Sequence, residues 1–268
     1  MTTRELNGKV AVVTGGAGVL CSVMAIALAK HGARVAVLDK SEDAAKDIAK
    51  RCRRGAIGLA ANVLERAALQ AAHTAIRKQL GPVDILVNGA GGNHPGATTS
   101  PDQSFFDLDP DAFNKVFQLN IIGTVLPCQV FCRDMTKRKH GVVINIASMN
   151  AFRPLTRIAA YSAAKAAVKN FTEWLAVHMA QEYSPRIRVN AIAPGFFLTK
   201  QNQFLLVDEK TGQPTPRGQA ILQATPQRRY GEPHDLISTL LWLCSDASSF
   251  VTGVTVPVDG GFNAFSGV

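Results

Sequence analysis

The stretch KVAVVTGGAGVLCSVMAIALAKHGARVAVLD, residues 9–39, decides the fold. KVAVVTGG reads as a strand buried on both faces that runs into a turn of glycines, Gly15, Gly16 and Gly18. CSVMAIALAKHG follows as an apolar helix stopped by Gly32, and ARVAVLD is a second β-rich run. Strand, glycine turn and helix set backbone N–H groups and a helix N-terminus where a pyrophosphate can meet them. Asp39 ends the second strand. An acidic group there accepts both ribose hydroxyls of a dinucleotide and repels a 2′-phosphate.

Outward from this unit the same rhythm repeats. SEDAAKDIAKRCRRG is a helix that starts on a Ser cap and ends on Gly55. AIGLAAN is a third, weaker strand, and residues 64–80 form a helix. VDILVNGAGG is a strand with a glycine-rich exit, and GVVINIAS, RIRVNAIAPG and VTVPVDGG are later strands. Asp109 caps a long helix with Pro110 at its first position, and Pro127 lies inside it, which predicts a kink. A helix bearing Tyr161 runs on to about Tyr183, and another lies near 233–244. Strands alternating with helices predict an α/β fold: one Rossmann-type doubly wound parallel sheet, helices on both faces, a single domain over residues 1–268. Residues 196–230 fit no strand and hold Gly212, Pro214, Pro216 and Pro226, so they read as an irregular substrate lid.

Composition narrows the class. The chain is 47% hydrophobic and 18% charged, enough to bury a sizeable core. No apolar run precedes the first strand and no window approaches an uninterrupted membrane-spanning length, so neither a secretory signal nor a membrane partner is expected. Five scattered cysteines suit reduced thiols in a cytoplasm. No cysteine or histidine has metal-ligand spacing, His94 included, so no metal is expected. The net charge of +9 is spread rather than blocked, which favours a small anionic ligand over nucleic acid.

YSAAK places Tyr161 and Lys165 four apart, on one helix face. An ammonium beside a phenol favours the phenolate and pulls a pKa of about 10 toward working pH, which makes a tyrosine a usable general acid/base. Alone, this spacing describes many solvated helix faces. Here it keeps company with Asn88-Gly89-Ala90-Gly91, Asn120, Ser148 and NAIAPGFFLT at 190–199, in that order along the chain.

On these motifs the chain resembles the short-chain dehydrogenase/reductase family over roughly residues 9–262. The family pattern TGxxxGxG keeps Thr14, Gly15 and Gly18 here, with Val19 and Cys21 where later glycines stand. The resemblance implies NAD, in preference to NADP, held by Thr14, Gly15, Gly18, Val19, Leu20, Asp39, Asn62, Val63, Asn88, Gly89, Ala90, Tyr161, Lys165, Pro194, Gly195 and Thr199. Asn62-Val63 stands where Asp-Val often contacts adenine; Pro194, Gly195 and Thr199 match the element that receives the nicotinamide carboxamide. It implies four catalytic residues. Tyr161 exchanges the proton, Ser148 holds the substrate oxygen, Lys165 tunes the tyrosine and binds the ribose, and Asn120 holds a water leading to solvent. It also implies a homotetramer built through two long helices, around 110–137 and 158–182.

The substrate is less directly encoded. TGGAGVLC, GGNHPGATT, FFDLD, GFFLT and PVDGGFNAFSGV are similar to the branch that interconverts D-mannonate and D-fructuronate. Asn93, His94, Ser148, Asn150, Arg157 and Tyr161 are then the expected substrate contacts, with Arg153, Lys200 and Arg217 further cations for a carboxylate. A gluconate 5-dehydrogenase-like activity, a 3-oxoacyl reductase and a catalytically silent dehydrogenase-like binding protein remain alternatives.

Overall fold

A computed structural model of the chain describes residues 5–199, 203–208 and 211–267. Its centre is a seven-stranded parallel sheet in the order β3-β2-β1-β4-β5-β6-β7. The strands are β1 (Val10–Thr14), β2 (Arg34–Asp39), β3 (Ile57–Ala60), β4 (Ile85–Asn88), β5 (Gly141–Ile146), β6 (Ile187–Pro194) and β7 (Thr255–Val258). The helices are α1 (Val19–Lys30), α2 (Glu42–Cys52), α3 (Arg66–Gln79), α4 (Pro110–Phe117), α5 (Gly123–Arg138), α6 (Ala159–Glu182), α7 (Gln203–Leu206), α8 (Pro216–Ala224) and α9 (Ile237–Cys244).

Why the central strands are apolar throughout is visible in β1. Ala11 and Val13 join a core with Met24 and Leu28 of α1, Ile48 of α2 and Leu240 of α9. Val10 and Val12 point the other way, into a core with Leu69 and Ile76 of α3, Phe131 of α5 and Leu175 of α6. A strand whose side chains alternate between two buried layers has no face for polar residues. Burying each large side chain of this kind contributes about 1.5–3 kcal/mol.

Caps form where the sequence places them. The Ser41 hydroxyl accepts from Ala44 N at 3.3 Å, and the Asp109 carboxylate accepts from Asp111 N at 2.9 Å with Pro110 next to it. The irregularity expected at Pro127 comes earlier. A π-helical turn, Gln118–Ile122, separates α4 from α5, and the carbonyl of Asn120 within it accepts from the Thr124 hydroxyl at 2.8 Å. The whole run Pro110–Arg138 is long and apolar enough to cross a membrane by composition, with mean hydropathy 1.3. Half of that window is buried inside the domain, as in a core helix.

The segment 196–230 departs from expectation. Residues 196–230 contain α7 and α8, the second capped by the Thr215 hydroxyl accepting from Gly218 N at 3.0 Å. Pro216 sits at the first position of α8, where its missing N–H costs nothing, so it starts a helix rather than preventing one.

β1 and β4 are neighbours although the chain visits β2 and β3 between them. The turns that follow them lead to helices on opposite faces, which opens a crevice at the carboxyl ends of these strands.

Candidate active site

Glycines line this crevice because the backbones after β1 and β4 nearly touch. Gly15 has φ of +59°, and a Cβ there would stand 2.8 Å from Ala90 Cα. Thr14, fully buried, ties the two turns together: its hydroxyl accepts from Gly89 N at 3.2 Å and Ala90 N at 3.4 Å. Gly18 precedes α1, whose first N–H groups, on Val19 and Leu20, face the crevice with no intrahelical partner.

Two hollows meet at Gly15 and Gly91. The larger, about 340 Å³, is lined by Gly15, Gly18, Val19, Leu20, Ser148, Tyr161, Lys165, Pro194, Gly195 and Thr199 among others. The smaller, about 210 Å³, is lined by Asp39, Asn62, Val63 and Ala90. Their shared glycines make them two halves of one groove, of a shape that suits an elongated dinucleotide. The Asp39 carboxylate stands in the smaller half, and accepts from Ala17 N at 3.2 Å and Ser41 N at 3.3 Å. Asn62 lines the same hollow, but its side chain already has partners. Its Nδ2 donates to Glu65 at 2.7 Å and its Oδ1 accepts from Leu64 N at 3.1 Å. Asn88 is buried below the groove and donates to Asn145 Oδ1 at 2.9 Å, which braces β4 on β5.

Cys21 replaces a family glycine without opening the groove. A Cβ on Gly89 would stand 2.0 Å from Cys21 Sγ, so the thiol occupies the room that Gly89 leaves. Cys21 lines the larger hollow, and burial pushes its thiol up to about 12 against the opposing influence of Lys165.

Tyr161 and Lys165 lie one turn apart on α6, with Ser148 across the hollow at the end of β5. The tyrosine ring packs on the Ala97, Ala112, Val116 and Ala160 cluster. Burial pushes the phenol up to about 12, and a hydrogen bond with Ser148 works the other way. The expected dominance of the ammonium is therefore not found. Lys165 is buried, its Nζ lies 5.5 Å from the ring centre, and it donates to the Ile146 carbonyl at 2.7 Å. Burial in turn pulls Lys165 down to about 8. Desolvation is the largest cause of the shift in both groups.

Asn120 holds the loop after β4 with its side chain. Its Nδ2 donates to the carbonyls of Gly92 at 2.7 Å and Val116 at 2.8 Å, and its Oδ1 accepts from Gly92 N at 3.3 Å. The side chain therefore staples the loop after β4 to the π-helical turn. Gly91 sits in the corner between Asn120 Oδ1 and Lys165 Nζ, 2.7 and 3.2 Å from the position of an added Cβ.

Of the expected substrate contacts, Ser148 and Tyr161 line the hollow. Asn93 is exposed and donates to the Thr98 hydroxyl at 2.8 Å; His94 Nδ1 accepts from Gly96 N at 3.1 Å. Asn150 is buried behind Ser148 with its Oδ1 unpartnered, and Arg157 is exposed with φ of +73°. Arg217 lies in the first turn of α8, and Lys200 lies outside the described residues. Lining residues that sequence reasoning passed over include Gly92, Ile146, Phe196 and Phe197. Phe196 and Phe197 sit inside the quoted GFFLT motif, whereas the Ile146 carbonyl has no sequence signal. Among the described residues no group of three His, Cys, Asp or Glu gathers as a metal site.

The short chain dehydrogenase family model matches residues 9–210. An oxidoreductase of Bacillus subtilis without an established substrate, UxuB, is 49% identical over 98% of both chains. A Haemophilus influenzae protein proposed to be a D-mannonate oxidoreductase, crystallised with NAD, is 46% identical, with a TM-score of 0.92 over 99% of this chain and 98% of that one. A gluconate 5-dehydrogenase of Burkholderia cenocepacia, crystallised with NADP and tartrate, is 31% identical, with a TM-score of 0.85 over 97% of each chain.

The Cys21–Gly89 contact yields the first prediction. Gly89→Ala should destabilise the protein by about 1–3 kcal/mol through overpacking. Adding Cys21→Gly should recover much of that loss. Thermal unfolding of both variants checks it; equal midpoints would mean that the two residues do not compete for space.

Proposed function

The chain belongs to the short chain dehydrogenase family, and from that premise we propose that it is an NAD-dependent enzyme interconverting a secondary alcohol and a ketone on a sugar acid, with D-mannonate and D-fructuronate the first pair. The observation that carries the reading is the convergence of Ser148, Tyr161 and Lys165 on the wider half of a glycine-lined groove whose narrower half ends at a carboxylate, Asp39.

The groove fits a nicotinamide dinucleotide, because side chains at Gly15 and Gly91 would fill it and α1 points its free N–H groups into it. Gly15, Gly18 and the first turn of α1 would hold the pyrophosphate, Asp39 the ribose, and Pro194, Gly195 and Thr199 the nicotinamide. When bound, the cofactor supplies or accepts the hydride. The chain's own part is the proton. Tyr161, held protonated by burial, donates to the ketone oxygen as charge develops there, and Ser148 holds that oxygen beside it. Lys165 keeps its charge below about pH 8 and stands next to Asn120 at Gly91, where it can resupply the proton.

A phenol raised to about 12 is protonated at working pH, so it holds the proton that reduction needs and must lose it before it can act as the base in oxidation. Ketone reduction should therefore stay level from pH 6 to pH 8 and weaken as Lys165 discharges above that. Alcohol oxidation, which needs the phenolate, should rise with pH over the same interval. Profiles of kcat/KM in both directions test this, and profiles of the same slope would remove Tyr161 as the proton donor. Tyr161→Phe should cost about 10²–10⁴-fold in rate while NADH binding persists.

The gluconate 5-dehydrogenase from Burkholderia cenocepacia supports a second reading, reduction of a 5-keto sugar acid, and its NADP leaves the cofactor choice to be tested. Steady-state assays of fructuronate, 5-ketogluconate, fructose and a 3-oxoacyl thioester, each with NADH and NADPH, decide between them. The expected order is fructuronate first, with NADH preferred because Asp39 would meet a 2′-phosphate as a like charge. Better turnover of the thioester or of fructose would overturn the sugar-acid reading.

We also propose a homotetramer assembled through α5 and α6. These helices border an apolar groove of about 680 Å³ lined by Val125, Phe171, Trp174, Leu175 and Met179, and Trp174 is 57% exposed. A second copy presenting the same helices has the chemistry to cover it. Trp174→Glu should shift the mass in sedimentation to smaller species; a tetramer that persists would place the interface elsewhere.

A further inference from the structure

A chain of contacts runs from Phe196, on the wall of the hollow, to the turn that follows Ser148. Phe196, on its wall, stacks edge-on against Phe262 with ring centres 5.2 Å apart. Phe262 belongs to the C-terminal turn that follows β7. Within that turn Phe265 N donates to the Gly261 carbonyl at 3.1 Å, and the Asp259 carboxylate accepts from Gly261 N at 2.9 Å and Asn263 N at 2.8 Å. From the opposite side, Arg153 Nη1 donates to the Phe265 carbonyl at 3.0 Å. Arg153 in turn hangs from the short 3₁₀ turn Met149–Ala151, its N–H donating to the Met149 carbonyl at 3.2 Å, directly after Ser148. The guanidinium thus ties the turn after Ser148 to the C-terminal turn that carries the ring partner of Phe196.

Arg153 is underused where it stands. A guanidinium carries five N–H donors in a rigid fork. One carbonyl contact is recorded for it, and among the described residues no carboxylate pairs with it. The other candidate arginines differ. Arg157 reaches the 93–99 loop through its backbone carbonyl, which accepts from Thr99 N at 2.9 Å, and Arg217 rides on α8. Arg153 combines a position one short turn from Ser148 with an oriented, charge-unmatched fork.

We propose that Arg153 binds the carboxylate of the sugar-acid substrate, and that the Phe265 carbonyl orients its guanidinium beforehand. A single neutral acceptor suits this task. It aligns the fork, yet a carboxylate outcompetes it, because charge-assisted bidentate pairs are about twice as strong as neutral hydrogen bonds. Arg153 is then a specificity-determining residue: it selects the acid end of a chain whose keto carbon lies at Ser148 and Tyr161. The C-terminal turn becomes part of the substrate site through a backbone atom.

This inference rests on the sugar-acid reading, and the test separates the two. Arg153→Gln and Arg153→Lys are compared with the parent protein for kcat/KM on fructuronate and on neutral fructose, with NADH, alongside NADH affinity by fluorescence. Arg153 is exposed, so the variants should fold, and unchanged NADH affinity verifies it. The preference for the acid over the neutral ketose should fall by about 10- to 100-fold in Arg153→Gln, chiefly through KM. Arg153→Lys should restore part of it, because charge returns without the fork. Deleting residues 264–268 should raise KM for the acid and leave the preference above that of Arg153→Gln. A merely structural Arg153 would lower both substrates alike and leave their ratio unchanged, which would overturn the proposal. If the variants keep a preference that the parent shows, another cation binds the acid and only this inference fails. If the parent shows no preference, the sugar-acid reading fails and takes the inference with it.

Discussion

Between Gly15 and Ala90 there is no room for one more carbon atom. The backbones leaving β1 and β4 come together there, and the remaining site geometry follows from that approach. It forces a left-handed residue at position 15, so that the chain turns out of β1 before entering α1. It lets the Thr14 hydroxyl reach two amides of the opposite turn. It brings Gly91 to the corner where Asn120 and Lys165 meet, and so joins the two hollows into one groove. A parallel sheet provides such a place where its strand order reverses, because only there do adjacent turns diverge toward opposite helix layers.

Burial, rather than charge pairing, sets the electrostatics of the catalytic group. Tyr161 and Lys165 both sit where water is scarce, and each is driven toward its neutral form. The phenol is thereby kept protonated and the amine is pulled down to about 8. The two shifts have one cause and opposite directions on the pH scale, as desolvation requires of an acid and a base of opposite charge type. Ser148 tempers the tyrosine through a hydrogen bond and stands next to the turn that carries Arg153.

The departures from the family pattern are compensated rather than tolerated as defects. Cys21 takes the place of a glycine on α1, and Gly89 on the strand exit leaves space for its sulfur. Asn62 stands in for an aspartate and uses its amide to brace its own turn through Glu65 and Leu64. In both cases the side chain has gone to work on the scaffold. Around Gly15 and Gly18 the groove still offers backbone, and backbone recognition of a pyrophosphate is insensitive to side-chain identity.

Much of this was legible in the chain itself. Strand apolarity, helix caps and the order of Asn120, Ser148, Tyr161 and Lys165 are local properties, written in spacing and residue type. The parallel sheet, its helix layers and the position of the catalytic helix follow from them. Residues 216–224 were misread as irregular because Pro216 signals a break and a helix start equally well, and only its neighbours decide which. That the Asn120 amide also grips the Gly92 carbonyl, 28 residues away, had no signal in the sequence. The direction of the Tyr161 shift was likewise beyond reach, since spacing on a helix reports the nearby lysine but not the apolar wall of Ala97, Ala112 and Val116. The sequence by itself determined which residues could do chemistry and in what frame. Tertiary structure decided which of their atoms remain free to do it, because desolvation and hydrogen-bond competition depend on the groups that folding brings from elsewhere in the chain.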